Sequence, residues 1–449
     1  MMMPPVRVAA AIALGVCLAA PSPALAQWRR IDSPNFVVIG ETGARDLRDI
    51  AVKFEAFRET LSRLLTERAI ATAVPTVVVV FRHDRAFTPF KPRFDGKPVE
   101  VGGMFVPRHD INYILIVGDG EPWRLPIVFH EFAHLIIANA GRNVPVWLSE
   151  GLAEYYSTFE VIADGREVRL GLVLEDRLAH LNETPMLPLE TLLNVDHGSP
   201  LYNEGNRRST FYAQAWALTH LILRGKPDRT AQLGAYLDNL SNGMAPKQAW
   251  DRAFGSEDMA RELDGYVRRQ AFMTVRHRFP EKLAKFDGAA VPVRPVEVQS
   301  VLAELLIHQD RIDEAAEILT NASKLEPGNA RFGIAASSLD LARRDRNAAE
   351  KRLHELGAPA GWLSNYLAGI AVADLADSGG DLPDPHWIET ARRYFSAART
   401  SGHELPNALA RMAELDLRSR EGPTPATREA IERARALAPG RHDYAITHA

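Results

Sequence analysis

The chain of 449 residues has almost no cysteine: its single thiol, Cys17, lies in the first apolar run. One thiol cannot form an internal disulfide, and a thiolate-held metal site needs several. Excess positive charge is also missing. Lys and Arg number 53 against 57 Asp and Glu, a net charge of −4. That balance argues against a nucleic-acid partner and supplies no polybasic membrane anchor. A membrane-spanning helix needs about 20 consecutive apolar residues, and no such run follows the first 26 residues. Stable membrane insertion of a processed chain is therefore not expected. The 46% hydrophobic and 24% charged content is ordinary for globular protein. The length suggests two domains.

Met1 to Ala26 reads as a targeting segment. Arg7 gives a positive start, Val8 to Ala20 is apolar, and Ala24-Leu25-Ala26 is a small-x-small cleavage site before Gln27. Val16 stands before Cys17, where lipidation would want a small residue. Cleavage at Gln27 removes Arg7, which takes the charge from −4 to −5 and leaves no cysteine. Export to a bacterial periplasm, or beyond the cell, is the expectation.

The most informative stretch is Phe129-His130-Glu131-Phe132-Ala133-His134, inside an apolar, helix-compatible run from about Pro126 to Ala140. Residues four apart share a helix face, so His130 and His134 offer two imidazoles to one point. A zinc ion takes that arrangement from two of its ligands. Glu131 can reach a water at such a metal, whose pKa zinc lowers toward ~7, and take its proton. The same pattern also occurs on ordinary surface helices. Here the flanking residues are apolar nearly all round, which marks a buried helix, and buried His and Glu are costly unless paired or metal-bound.

A second stretch follows: Trp147-Leu148-Ser149-Glu150-Gly151-Leu152-Ala153-Glu154-Tyr155. Glu150 and Glu154 share a face of a second expected helix, so spacing alone does not say which would touch a metal. Gly151 removes a side chain where two helices approach. Together the two stretches resemble the gluzincin metallopeptidases, the group of thermolysin and aminopeptidase N, and in particular their bacterial peptidase-MA-like branch. The resemblance implies an α+β zincin-like catalytic domain holding one Zn²⁺ ion. It implies His130, His134 and Glu150 as ligands and Glu131 as general base. Glu154 would orient a ligand histidine, His130 in preference to His134. Glu150 follows His134 by sixteen positions, slightly closer than in thermolysin or aminopeptidase N; a short connection through Gly141 and Pro145 would absorb the difference.

Around these motifs the pattern is mixed. Asn35–Ile39, Pro75–Phe81 and Ile111–Val117 read as strands, the last ending at Gly118-Asp119-Gly120, and Asp46–Glu67 reads as a helix. Phe87 to Gly103 reads as a loop or lid. By the resemblance, Ile111–Val117 would line the cleft and pair with an extended peptide; it can equally be a central core strand. A hairpin is expected around Asp164-Gly165, a helix over Arg207–Leu223, and further helices over Asp228–Arg269 with a break at Phe254-Gly255. In the resembled branch a Tyr-x-Gln stretch follows the Glu-Gly helix, as Tyr212-Ala213-Gln214 does here. Tyr212 is thereby a candidate donor to the oxyanion formed in peptide hydrolysis. It is equally a candidate for helix packing, and Tyr202, Tyr155 and Tyr156 compete for the role.

Phe279 to Val296 reads as a linker. Beyond it, Ala303, Ala315, Ala322 and Pro327, then Ala349, Ala368, Ala391 and Ala398, fall at a spacing that resembles tetratricopeptide repeats. Leu437-Ala438-Pro439-Gly440 echoes Leu325-Glu326-Pro327-Gly328. The expected organisation is therefore a targeting segment over 1–26, a catalytic domain over 27–290, and an all-α, TPR-like helical repeat domain over 291–449. An irregular helical domain is the alternative for the last part. A repeat array offers a concave face to a protein partner or to the catalytic domain. Two functions are in view: a secreted zinc endopeptidase acting on peptide or protein, or a non-catalytic assembly factor that retains a zinc site. An aminopeptidase is disfavoured. The stretch nearest to that group's Gly-x-Met-Glu-Asn segment, Val101-Gly102-Gly103-Met104-Phe105, lacks the glutamate after methionine.

Overall fold

Strand-forming, β-branched segments such as Thr76-Val77-Val78-Val79-Val80 build the centre of the protein. In the computed structural model, strands β1 (Arg29–Asp32), β2 (Phe36–Gly40), β3 (Thr76–Phe81), β4 (Gly103–Val106), β5 (Asn112–Val117) and β9 (Val291–Pro292) form one sheet in the order β9-β1-β2-β3-β5-β4. The pairs β2–β3 and β3–β5 are parallel; the pairs involving β1, β4 and β9 at the margins are antiparallel. The structure describes residues 27–444 except 65–72, 95, 100, 119–123, 140–143, 163–164, 204, 256–257, 270, 284–285, 287, 380–381, 401, 440 and 442–443. The targeting segment with Cys17, Asp119-Gly120, Gly141, Asp164 and Gly440 lie outside the described residues.

The central strands are buried on both faces, as parallel strands are when helices cover each side. Alternation sorts their residues. Val38, Val78, Val80, Ile114 and Ile116 face helices α1 (Ala44–Leu64) and α2 (Arg124–Asn139). Val37, Ile39, Val77, Val79, Tyr113 and Leu115 share a core with the carboxyl-terminal helices. Thus β5, the strand before the motif helix, is a central core strand paired on both sides. The outer strand beside α2 is β4, which starts at Gly103, the last residue of the expected loop; Gly-Met-Phe-Val is short and lacks a β-branched run, so its pattern does not announce a strand. The lid region before it holds two helical turns, 84–87 and 88–90, and a two-stranded pair, 93–94 with 97–98.

After α2 come α3 (Val146–Ser157), the hairpin β6 (Glu160–Ile162) and β7 (Glu167–Leu170), α4 (Glu175–Glu183) and α5 (Gly205–Arg224). Then follow α6 (Thr230–Ser241), α7 (Pro246–Phe254) and α8 (Met259–Val267), and β8 (Val275–Arg278) joins β7. The expected break at Phe254-Gly255 is present: Gly255 ends α7 with φ of 66°.

The linker is tied down at several points. Its strand β9 pairs with β1, and Arg48 on α1 donates to the carbonyls of Gly288 and Phe286 at 2.6 and 2.7 Å. Beyond it, helices pack in consecutive pairs: α9 (Pro295–His308) with α10 (Ile312–Ala322), α11 (Ala330–Ala342) with α12 (Arg346–His354), α13 (Gly361–Asp377) with α14 (Pro385–Arg399), and α15 (Pro406–Leu417) with α16 (Pro425–Leu437). Successive first members α9, α11, α13 and α15 also touch one another. The spaced alanines explain the closeness of these contacts: Ala303, Ala315, Ala322, Ala349, Ala368, Ala391 and Ala398 are all fully buried.

Polar bonds fasten this helical region to the sheet. The Tyr113 hydroxyl donates to Glu304 Oε2 at 3.1 Å, and the Tyr366 hydroxyl to the Asp110 carbonyl at 2.6 Å. Glu304 in turn holds Arg331 in a two-pronged ion pair, their side chains only 5% and 8% exposed. Removing one partner strands a buried charge, which typically costs ~3–5 kcal/mol, whereas an apolar replacement of both is often neutral. Arg331→Ala is therefore expected to lower unfolding free energy by about 3–5 kcal/mol in chemical denaturation. Changing Glu304 and Arg331 to Met together with Tyr113 to Phe, which leaves no hydroxyl stranded, should recover most of that loss.

Candidate metal centre

The site begins with how α2 is held. Its inner face carries Phe129, Phe132, Ala133 and Ile136, all buried. Phe129 stacks on Phe57 at 4.5 Å and Phe132 packs edge-on to Phe36 at 5.4 Å. That aromatic cluster fixes the rotation of the helix, which leaves His130, Glu131 and His134 on the wall of an open cleft of about 670 Å³.

The facing wall is α3. Trp147 anchors its start, buried against Tyr236 and Trp250. One turn on, Gly151 lies where α3 crosses α5. A Cβ there would overlap the Thr219 hydroxyl and the Ala215 carbonyl. The close approach inferred for this glycine is thus real, and it seats Glu150 opposite the two histidines.

His130 Nε2 and His134 Nε2 are 3.2 Å apart, and Glu150 Oε2 lies 3.2 and 3.3 Å from them. The three donors form a nearly equilateral triangle. A tetrahedral ion with bonds of ~2.0–2.1 Å separates its ligands by roughly 3.3–3.4 Å, so the triangle has the dimensions of three corners of such a site. Glu150 Oε2 is buried and has no aligned hydrogen-bond partner among the described residues. A buried carboxylate oxygen left that way is costly unless a cation meets it. No other group of three His, Cys, Asp or Glu among the described residues converges in this manner.

The charges agree with a cation at this point. Burial alone would raise the Glu150 carboxyl, but the adjacent imidazoles outweigh it and hold the carboxyl down at about 2. Burial would keep His130 neutral, yet Glu150, Glu154 and Glu131 together raise its pKa. Three carboxylates thus surround two imidazoles.

Outer contacts orient the donors. His134 Nδ1 and Ser149 Oγ are hydrogen-bonded at 3.0 Å, which fixes the ring so that Nε2 points into the triangle. The Tyr202 hydroxyl donates to Glu150 Oε1 at 3.1 Å. Glu154 is buried near enough for its charge to act on His130, but its carboxylate accepts a hydrogen bond from Arg177 Nη2 at 2.6 Å. Arg177, from the first turns of α4, also lies 5.9 Å from the centre of the Tyr212 ring. Sequence pattern assigns no role to Ser149 or Arg177. Ser149 sits inside the second motif, beside Glu150, where its position was a usable signal; Arg177 carries no local signal.

Among the tyrosines, Tyr202 and Tyr212 both line the cleft and stack at 6.1 Å. Burial and the charge of Glu150 push the Tyr202 phenol strongly upward, so it remains a donor. Tyr155 is buried, and its hydroxyl accepts from Arg224 at 2.7 Å; Tyr156 is buried away from the cleft. Gln214 does not reach the site. Its amide exchanges two hydrogen bonds with the backbone of Leu187, at 2.7 and 2.8 Å.

Residues 125–244 are similar to a family described as "Protein of unknown function (DUF1570)". The matched stretch encloses His130, Glu131, His134, Glu150, Glu154, Arg177, Tyr202 and Tyr212. No curated protein matches the chain.

The helix crossing supplies a direct test of this geometry. Gly151→Ala is expected to destabilise the fold by about 1–3 kcal/mol through overpacking and to displace Glu150, so that metal content after gel filtration falls. Gly265→Ala on α8, where a Cβ meets nothing within 4 Å, is the control and should leave metal content unchanged.

Proposed function

We propose that this protein is an exported zinc-dependent peptidase, with His130, His134 and Glu150 holding one ion. The observation that carries the reading is the triangle of donors closed by a buried, otherwise orphaned carboxylate oxygen, with Glu131 beside it on the cleft wall. The donor set of two imidazoles and one carboxylate is one that zinc takes in catalytic sites. When bound, zinc polarises a carbonyl and makes water acidic near neutral pH. Glu131, which has no hydrogen bond among the described residues, accepts the proton of the attacking water and returns it to the leaving amine. Tyr212, on the cleft wall, donates to the carbonyl oxygen as negative charge builds there. Ser149 and Arg177 keep the ligand side and the carboxylate side of the cleft in register.

An extended substrate has a backbone partner at hand. Strand β4 is the outer strand of the sheet on the side of α2; among the described residues it pairs only with β5, so it can accept another strand along its other edge. An open cleft suits internal peptide bonds, and the Val101–Phe105 stretch, which overlaps β4, offers no acidic anchor for a free amino group. The paired helices α9–α16 are read as a degenerate, TPR-like array, a reading supported by their pairwise packing and buried alanines. Export rests on the character of residues 1–26; among the described residues no helix is long and apolar enough to cross a membrane.

Glu131→Gln is expected to keep the metal and lower peptide hydrolysis by ~10²–10⁴-fold, because the amide preserves shape but accepts no proton. Hydrolysis at the parent rate would refute the mechanism. The two carboxylates of α3 should separate by metal analysis after dialysis, with circular dichroism as a folding control. Glu150→Ala leaves two imidazoles and should lose the ion outright. Glu154→Ala should bind about 10–100-fold more weakly and reload when zinc is supplied. The reverse result would exchange their roles.

A further inference from the structure

Between the sheet and the helical region lies a cavity of about 190 Å³. One wall is the segment before β5, with Arg108 and Asp110. The others are α9, α11 and α13, successive first members of the helix pairs. These helices supply an aliphatic lining that includes Ile307, Ile334, Leu367 and Ile370. Roughly 150 Å³ of apolar space holds a benzene molecule, so the cavity suits a small molecule of that order. It shares no lining residue with the metal cleft.

Three carboxylates line it. Glu304 is taken by Arg331, and Asp374 by Arg411, which donates at 3.1 Å. Asp110 is different. It is 6% exposed, and its Oδ1 accepts from the Ile111 amide at 3.0 Å, but its Oδ2 has no donor among the described residues. Two imidazoles approach the carboxylate, His308 Nε2 at 3.8 Å and His109 Nδ1 at 3.9 Å, both beyond hydrogen-bond reach. Burial lowers the pKa of His308, so that ring is neutral near pH 7 and does not offset the charge. A cation is orphaned as well. The Arg108 guanidinium has no acceptor or ion-pair partner among the described residues, and its Nε is shut off from water. Arg108 and Asp110 bear on the same His308 ring with opposite sign, so they surround one point, yet they do not pair with each other. Unmatched buried charge is costly until a partner arrives.

A ligand that answers both groups carries one charge of each sign, and the aliphatic wall asks for an apolar part beside them. A peptide terminus brings one of the charges; a free amino acid brings both on a single carbon. We propose that this cavity binds a free α-amino acid with a branched aliphatic side chain. Its ammonium meets Asp110, its carboxylate meets Arg108, and its side chain lies against Ile307, Ile334, Leu367 and Ile370. The bound molecule touches the sheet segment and three helices at once. It therefore ties the helical region to the sheet and stabilises that junction by mass action. The site stands independently of any chemistry at the metal centre.

The test is titration calorimetry of the zinc-loaded full chain with L-leucine. Leucine should bind, and three analogues should each bind about 10–100-fold more weakly. Isocaproate lacks the ammonium, leucine methyl ester lacks the carboxylate, and glycine lacks the side chain. Asp110→Asn, which keeps the Oδ1 acceptor, and Arg108→Met should each weaken leucine by a similar factor. Glu150→Ala, which disables the metal centre, should bind leucine as the parent does. No binding of leucine at millimolar concentration overturns the proposal. So does any of the three analogues binding as well as leucine, or leucine binding that survives both Asp110→Asn and Arg108→Met, or binding that Glu150→Ala abolishes. If either cavity variant fails to fold, the analogue series on the parent chain decides.

Discussion

The contact between α3 and α5 at Gly151 is the constraint on which the site depends. Only a residue without a side chain allows the helices to come so near, because the Thr219 hydroxyl and the Ala215 carbonyl occupy the space a Cβ would need. The neighbour of that glycine, Glu150, inherits its position from the crossing. The opposite wall is set independently, by aromatic packing around Phe129 and Phe132. Two separate pieces of core therefore meet at one triangle of donor atoms, and neither requires an ion to define its own half. That is preorganisation in its plainest form: the polar atoms are held by apolar packing some distance away.

Electrostatics explains why such an arrangement is worth its cost in stability. Glu150 is buried with one oxygen unmatched, and Glu131 and Glu154 add negative charge around it. Arg177 offsets one of these charges from outside the triangle. What remains at the centre is a concentration of acceptors that a divalent cation satisfies and water satisfies poorly.

Much of this was legible in the sequence because it is local. Residues four apart on a helix share a face whatever surrounds them, so His130 with His134 and Glu150 with Glu154 could be paired from spacing. The β-branched runs of β3 and the aliphatic run of β5 announced themselves in the same way, and the spaced alanines after residue 300 marked close-packed helices. Partnerships across the chain were hidden. Arg177 meets Glu154 from 23 residues away, with nothing in its own neighbourhood to mark it. The four tyrosines could not be sorted, since only the fold shows that Tyr202 and Tyr212 line the cleft. The role of β4 was concealed by its brevity, and the linker looked loose because pairing between β9 and β1 joins segments more than 250 residues apart.

That last pairing has a consequence for how the protein comes into being. Strand β1 is made near the start of synthesis but gains its second neighbour only when residues 291–292 arrive, and the face formed by Val37, Val77 and Val79 stays bare until the final helices land. Contacts of such long range form slowly, and exposed sheet surface in the interval invites aggregation. A nascent chain can thus gather both halves of the donor triangle while half of its sheet is still uncovered. The carboxyl-terminal helices thus complete the sheet rather than the site, so damage there would first be felt as exposed sheet surface.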